Sequence, residues 1–262
     1  MKTYKILFLD IDGTIMKPDD TIEDSTRSAI RAVQQKGLDV VLATGRPLHE
    51  ISELAKELNV DSFIGYNGAY AVCKRVEIYN QPMSKASAAN LIDTALKNGH
   101  QFVAYTDEKN YLFPYQSAAM DEFIKTFHLH KNELYSEAIL GSVLGMTLIT
   151  EDHHGNRLYS LEDGLHLSQV NVEHMRHCYD VIRDTVNKGA AVKAFLQYLN
   201  IPVESSIAFG DGMNDKEMLQ FVGEGFAMGN CHPDLRTFAK HFTTDVHNSG
   251  IFNGLMSLGL LD

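Results

Sequence analysis

Two carboxylates two positions apart, Asp10 and Asp12, are the first residues of this chain whose types and spacing could do chemistry. The apolar run from Tyr4 to Leu9 before them is too short for a helix and rich in large side chains, so it reads as a buried strand that breaks at Gly13. Asp10 then falls at a strand end, where a buried carboxylate is costly unless a cation or hydrogen-bond donors compensate. Something positive should bind between the pair. A tight turn that presents hard oxygen ligands suits Mg²⁺, which takes one or two carboxylates, keeps several waters and leaves room for phosphate oxygens. A loop with two capping aspartates is the other reading, because Asp is frequent in turns, and D-x-D-G-T alone leaves both open.

Further candidates stand at similar places along the chain: Thr44 and Gly45, Lys188, and Asp211 with Asp215. As chemistry, each has a task. Asp10 can attack phosphorus in line and form an aspartyl-phosphate. Asp12 can protonate the leaving alcohol and later take a proton from water. Mg²⁺ held by Asp10, the backbone carbonyl of Asp12, and Asp211, with Asp215 supporting it, would offset the repulsion between two anions. Thr44 and the Gly45 amide would donate to phosphate oxygens, and Lys188 would neutralise charge spread over them. The bland readings are a helix cap for Thr44-Gly45 and a solvated lysine for Lys188, although a cation near a helix start hints at an anionic neighbour. G-D-G-M-N-D is neither a dinucleotide fingerprint, lacking the third glycine, nor an EF-hand loop, lacking the closing glutamate.

The elements around these residues imply a parallel sheet. Asp24 to Lys36 has helical spacing and ends at Gly37; Leu38 to Ala43 is a second strand, and Pro47 suits the first turn of a helix through Ile51, Leu54, Ala55 and Leu58. Ser62 to Tyr66 is a third strand, with Asn67-Gly68 as a turn before Ala69 to Cys73. After Lys188-Gly189 the pattern resumes with a helix from Ala190 to Asn200, a strand from Ser205 to Phe209, and a helix starting over Lys216 to Phe221. Gly225 to Met228 and His241 to Thr243 could add edge strands around a helix from Pro233 to Lys240. Alternating strands and helices place ligands at strand carboxyl ends. Between Met83 and Asp184 the pattern differs: helices from Ala86 to Asn98 and Ser117 to Phe127, and strands from Gln101 to Thr106, Tyr111 to Pro114 and Gly145 to Thr150, read as a separate α+β insert. Asn80-Gln81-Pro82 and Arg183 to Val186 are its linkers.

At 262 residues the chain is long enough for such a split core, and its net charge of -11 argues against broad binding to nucleic acid or anionic membrane. The three cysteines, Cys73, Cys178 and Cys231, are far apart with no C-x-x-C spacing, so a reducing cytoplasm is the simplest home. No run reaches membrane-spanning length, and none near the amino terminus reads as a leader.

D-I-D-G-T at 10 to 14, A-T-G-R-P at 43 to 47, N-K-G at 187 to 189 and G-D-G-M-N-D at 210 to 215 resemble the four motifs of the haloacid dehalogenase superfamily. More narrowly, they resemble its Cof-type branch of bacterial hydrolases. Asn67-Gly68-Ala69 and Asn248-x-Gly250 also look like family features. The resemblance implies a Rossmann-like three-layer α/β core with a parallel sheet, at 1–82 and 187–262, and an inserted α+β cap of the C2B type at 83–186. It implies Asp10 as nucleophile and Asp12 as acid and base. Asp10, Asp12 and Asp211 would hold the metal, with Asp215 a direct or supporting ligand, and Ile11, Thr44, Gly45, Lys188 and Asn214 would contact phosphate. Asn187 departs from the serine often found before the lysine, and 151–179 follows no alignable cap pattern.

The expectation is therefore a Mg²⁺-dependent phosphomonoesterase for a small phosphorylated metabolite, of sugar phosphate or flavin-precursor type, with the insert excluding water. It would be monomeric or a small homo-oligomer. The rivals are a phosphosugar mutase and a non-catalytic metabolite sensor. In the insert, His100, His128, His130, His153, His154, His166, His174 and His177 read as scattered surface histidines rather than a second metal site. Tyr105, Tyr111, Phe113 and Tyr115 read as sheet packing, with a pocket lining as the alternative.

Overall fold

In the computed structural model, which describes residues 3–114, 116–150, 154–170 and 172–261, the first apolar run forms strand β1 (Ile6–Asp10) with every residue buried. The chain continues through α1 (Asp24–Gln35), β2 (Asp39–Ala43), α2 (Ser52–Glu57), β3 (Phe63–Gly65), β4 (Tyr70–Cys73) and β5 (Val76–Asn80). The helix expected from Pro47 is shorter than its spacing suggests. Pro47 has an extended ψ of 136°, Leu48–Glu50 is a 3₁₀ turn, and the α-helix starts only at Ser52. Extended backbone at Pro47 postpones the first helical hydrogen bond.

A second run of elements follows: α3 (Lys85–Lys97), β6 (Gln101–Tyr105), β7 (Asn110–Phe113), α4 (Ala118–Phe127), β8 (Asn132–Leu134), β9 (Gly145–Ile149), β10 (Leu165–Gln169) and β11 (Cys178–Arg183). The first pattern returns with α5 (Lys188–Tyr198), β12 (Ser206–Gly210), α6 (Lys216–Phe221), β13 (Glu224–Ala227), β14 (His241–Phe242) and α7 (Gly250–Ser257). The segment expected as a helix from Pro233 to Lys240 is a 3₁₀ stretch, Pro233–Phe238, and α7 had no counterpart in the sequence reading.

The chain divides into two compact units. The first comprises Met1–Arg46, Ser52–Asn80 and Asn187–Asp262, and the second Pro47–Ile51 with Gln81–Val186. This differs from the expected partition at Pro47–Ile51 and at residues 81 and 82, which group with the second unit.

Among the described residues the first unit has one sheet of order β14-β13-β12-β1-β2-β3-β4-β5. Pairing is parallel from β14 to β3 and antiparallel from β3 through β5. Strands covered on both faces must be apolar throughout, which explains I-L-F-L in β1 and V-V-L-A in β2. Phe8 meets Phe195 of α5 edge to face at 5.9 Å, and Val41, Ile64, Ala208 and Leu219 belong to the same cluster. The order matters for the site: β1 lies between β12 and β2, where the chain reverses its direction of travel across the sheet and ligands collect beyond the strand ends.

The second unit has a sheet of order β10-β11-β9-β6-β7-β8, antiparallel except for the β7–β8 pair. Alternation puts Phe102, Ala104, Leu148 and Val181 on one face with Leu91 and Ile92 of α3, and Val103, Leu112, Ile149 and Cys178 on the other with Met120 and Phe123 of α4. Tyr111 and Phe113 pack against the first of these faces, as expected for sheet aromatics, and Tyr105 against the second; Tyr115 lies outside the described residues. His100 corrects the surface reading of the histidines: it is buried, and its Nδ1 lies 2.9 Å from the Tyr159 hydroxyl. His128, His130, His154, His166 and His174 are exposed and His177 is half-buried, while His153 lies outside the described residues.

Candidate active site

The first unit brings the sequence candidates to neighbouring strand ends. Asp10 closes β1, Thr44 follows β2, and Asp211 follows β12, so three adjacent parallel strands each deliver a polar residue at the same edge. Lys188 is the first residue of α5, whose N-terminus is capped by Asn187 through Oδ1, which accepts from the Ala190 amide at 2.9 Å. Asparagine thus performs the capping that a serine would.

Lys188 is fully buried, and its Nζ donates to Asp10 Oδ1 and Asp215 Oδ1, both at 2.6 Å. It is not a solvated lysine. Burial alone would favour the neutral amine, but Asp10 and Asp215 outweigh it and raise its pKa, keeping the ammonium charged. The other Asp215 oxygen, Oδ2, accepts from the Asp211 and Gly212 amides at 3.0 and 3.1 Å, which fixes the turn after β12. Asp10, Asp211 and Asp215 each offer an oxygen within 4.8 Å of the others. One lysine against three carboxylates leaves negative charge in excess. Burial, then Asp215, push the Asp10 carboxyl well above its usual range against the opposing pull of Lys188, and the same two causes push Asp211 up to about 7. A hard, oxygen-only donor set with surplus negative charge fits a divalent cation such as Mg²⁺.

Gly13 makes room for Asp211. Its φ of +79° suits glycine, and a Cβ there would lie 2.2 Å from Asp211 Oδ2. The Asp211 carboxylate also accepts from Thr14 Oγ1 at 3.5 Å and Asn230 Nδ2 at 3.3 Å, and Asn230 Nδ2 donates to the Gly13 carbonyl at 2.8 Å.

Asp12 is placed differently from Asp10. It is 55% exposed, and Arg46 grips both its oxygens, Nε to Oδ2 at 2.9 Å and Nη2 to Oδ1 at 2.5 Å. Arg46 carries no role in the sequence reading although it stands inside A-T-G-R-P; its position directly after Thr44-Gly45 was the available signal. Thr44 is fully buried, and its Oγ1 accepts from the Arg46 amide at 3.0 Å, a bond within the turn; it caps no helix, because Pro47 is extended and the α-helix starts only at Ser52. Gly45 lies beside Asn67, whose Oδ1 accepts from Asn214 Nδ2 at 3.0 Å. Ile11 is buried, and its carbonyl accepts from the amides of Thr14, Ile15 and Met16, which winds the turn after β1. Asn67 and Asn230 are two further residues to which sequence reasoning gave no role. Asn67 has a φ of +54° within the Asn67-Gly68 signal, while Asn230 stands in no motif.

The chain is similar to known proteins along nearly its whole length. The profile of haloacid dehalogenase-like hydrolases matches residues 7–255. YkrA of Bacillus subtilis (strain 168), named provisionally as a phosphatase, is 30% identical over 260 residues, covering 98% of this chain and 98% of its own. YitU of the same organism, named 5-amino-6-(5-phospho-D-ribitylamino)uracil phosphatase, is 28% identical over 263 residues, covering 94% of each chain. Among solved structures, a hypothetical protein of Geobacillus kaustophilus HTA426 matches with a TM-score of 0.87 at 29% identity, over 98% of this chain and 100% of that one.

Proposed function

Because the chain belongs to the haloacid dehalogenase-like hydrolases and is a phosphoric monoester hydrolase of the Cof-type branch, we propose that it hydrolyses a small phosphorylated metabolite through an aspartyl-phosphate on Asp10, with Mg²⁺. The observation that carries this reading is the Lys188 contact to Asp10 and Asp215, which holds a nucleophilic carboxylate at a strand end beside a second acidic pair.

Asp10, Asp211 and Asp215 would hold the cation, whose charge offsets the repulsion between the Asp10 carboxylate and the incoming phosphate. An Asp10 oxygen attacks phosphorus as the ester bond breaks, and Asp12 gives the departing alkoxide its proton. Water then attacks the acyl-phosphate, loses a proton to Asp12, and leaves inorganic phosphate and the free Asp10 carboxylate. Delivering that proton requires Asp12 to give up one arm of its fork with Arg46. Lys188, the Gly45 and Ile11 amides, Thr44 and Asn214 serve the phosphate oxygens, with Lys188 already charged and fixed before substrate arrives. Asn67 supports Asn214 by accepting its amide hydrogen.

A flavin-precursor or sugar-like leaving group is supported by the name of YitU, whose substrate joins a phosphorylated ribityl chain to a uracil. The expected cytoplasmic setting is supported by three buried cysteines without disulfides, and no described helix is long and apolar enough to cross a membrane.

The test is phosphate release from a panel of phosphorylated sugars, nucleotides, flavins and an aryl phosphate, with Mg²⁺ and with chelator, beside Asp10→Asn. Wild-type release should be metal-dependent and fall by at least about a thousandfold in the variant. Comparable turnover by folded Asp10→Asn protein would overturn the nucleophile.

A further inference from the structure

Asn230 is exposed, yet its side-chain amide is committed on every side. One Nδ2 hydrogen goes to the Gly13 carbonyl at 2.8 Å and the other to Asp211 Oδ2 at 3.3 Å, while Oδ1 accepts from the Val246 amide at 3.0 Å. An amide has two donor hydrogens and one acceptor oxygen, so these partners also fix which way round it sits. Its oxygen, turned to Val246, is not offered to a cation.

The backbone around Asn230 is tied to the same place. The turn after β13 bonds back to the end of β12 on both sides of Asn230, from the Met228 amide to the Gly210 carbonyl at 3.0 Å and from the His232 amide to the Asp211 carbonyl at 2.8 Å. Residues 230–232 therefore meet Asp211 twice, at its carbonyl and at its carboxylate. On its other side the turn lies against residues 243–250, the stretch that holds Asn248-x-Gly250. The Gly229 amide donates to the Thr244 carbonyl at 3.1 Å, and Asn253 Nδ2 keeps that stretch in shape by donating to Thr244 Oγ1 at 2.8 Å and to the Asn248 carbonyl at 3.1 Å. The amide is thus aimed from a preformed support.

Asp211 needs such a partner. It shares the site with Asp10 and Asp215, each offering an oxygen within 4.8 Å of the others, and like charges at that range push one another apart. Thr14 Oγ1 donates to Oδ1 at 3.5 Å and Asn230 Nδ2 to Oδ2, so both carboxylate oxygens are restrained while each keeps a lone pair for a cation. A lysine in this place would neutralise the carboxylate. A neutral amide orients it and leaves the surplus negative charge intact.

We propose that Asn230 is a positioning residue of the cation site, whose two donor bonds hold the Asp211 carboxylate against the Gly13 turn in the orientation that ligates Mg²⁺. The inference rests on the Mg²⁺ reading above and extends it to a residue outside the motifs. Partners that orient metal ligands in this way are worth about ten- to a hundredfold in metal affinity.

The experiment titrates Mg²⁺ into chelator-treated wild type, Asn230→Ala and Asn253→Ala, read by calorimetry and by the rise in Tm with Mg²⁺, beside phosphate release from an aryl phosphate over the same Mg²⁺ range. Asn230→Ala should raise the Mg²⁺ dissociation constant by about tenfold or more and lose turnover at low Mg²⁺ that high Mg²⁺ restores, with KM for the ester within about threefold of wild type. A merely structural role would lower Tm in chelator and leave the Mg²⁺ constant alone. Asn253→Ala loosens the supporting stretch but keeps both donor bonds, so its Mg²⁺ constant should stay within about threefold of wild type. Asn230→Ser repeats the titration if Asn230→Ala does not fold. An unchanged Mg²⁺ constant in the Asn230 variant, or equal shifts in the Asn230 and Asn253 variants, overturns the positioning role and leaves the Mg²⁺ reading standing. No response of wild type to Mg²⁺ in any of these readouts overturns that reading and the positioning role with it.

Discussion

The two units satisfy their buried polar groups in opposite ways. In the first, a charged lysine sits between two carboxylates and a third acidic group lies nearby, so the site is held by charge and still lacks positive charge. In the second, neutral hydroxyls and amides donate hydrogen bonds to carboxylates, Tyr105 to Thr147 to Asp180 in series and Asn110 to Glu50, and Glu50 Oε2 is buried with no partner among the described residues. The difference is instructive. A cluster short of a cation is suited to phosphate chemistry, whereas a series of neutral hydrogen bonds buries polar groups without calling for one.

Removing Lys188 should break this contrast most severely. Lys188→Met leaves Asp10 and Asp215 buried without their shared cation, and breaking such a pair costs about 3–5 kcal/mol, with at least about a hundredfold loss of turnover. Chemical denaturation and phosphate-release kinetics on the same preparation check both. If stability were unchanged, the first unit would not be held by charge.

A smaller loss is expected from Gly13→Ala, about 1–3 kcal/mol, because alanine must adopt a positive φ and its Cβ would displace the Asp211 carboxylate. The variant should also need more Mg²⁺ for half-maximal activity, which titration would reveal. An unaltered Mg²⁺ requirement would remove Asp211 from the cation site.

The smallest effect sharpens the comparison from the other side. Burial holds the His49 pKa below its usual value, against the opposing influence of Asn110 and Glu50. The unfolded chain takes up that proton near about pH 6.5 while the folded chain resists it, so stability falls as pH drops below that value toward the folded pKa. His49→Gln should flatten the slope of unfolding free energy between about pH 7 and pH 5 relative to wild type. Equal slopes would show that His49 titrates alike in both states.

The charge-based site was readable in the sequence because its parts are contiguous. D-I-D-G-T and G-D-G-M-N-D each place a strand end, a turn and an acid within six letters, so strand position and chemistry arrive together. Arg46 and Asn230 were not assigned because their partners, Asp12 and Asp211, become neighbours only through folding. The polar row of Asp180, Thr147, Tyr105, Asn110 and Asn132 in the second unit was illegible for the same reason carried further: it takes one residue from each of five strands, and register, not spacing, aligns them. Strands β10 and β11 also escaped notice, since L-H-L-S-Q and C-Y-D-V-I-R mix polar and apolar residues without a long buried run. The overextended helix at Pro47 shows that a favourable first-turn residue does not set where a helix begins.

The strand order carries a consequence for how the chain is made. β1 needs β12 on one side and β2 on the other, yet Ser206, the partner of Ile6, is synthesised about two hundred residues later, roughly 10 to 40 s at typical ribosomal rates. Gln81–Val186 emerges in the meantime as one continuous stretch with both faces of its sheet covered. On the ribosome the interrupting unit can therefore mature first, while β1 waits with one edge open for a neighbour not yet translated.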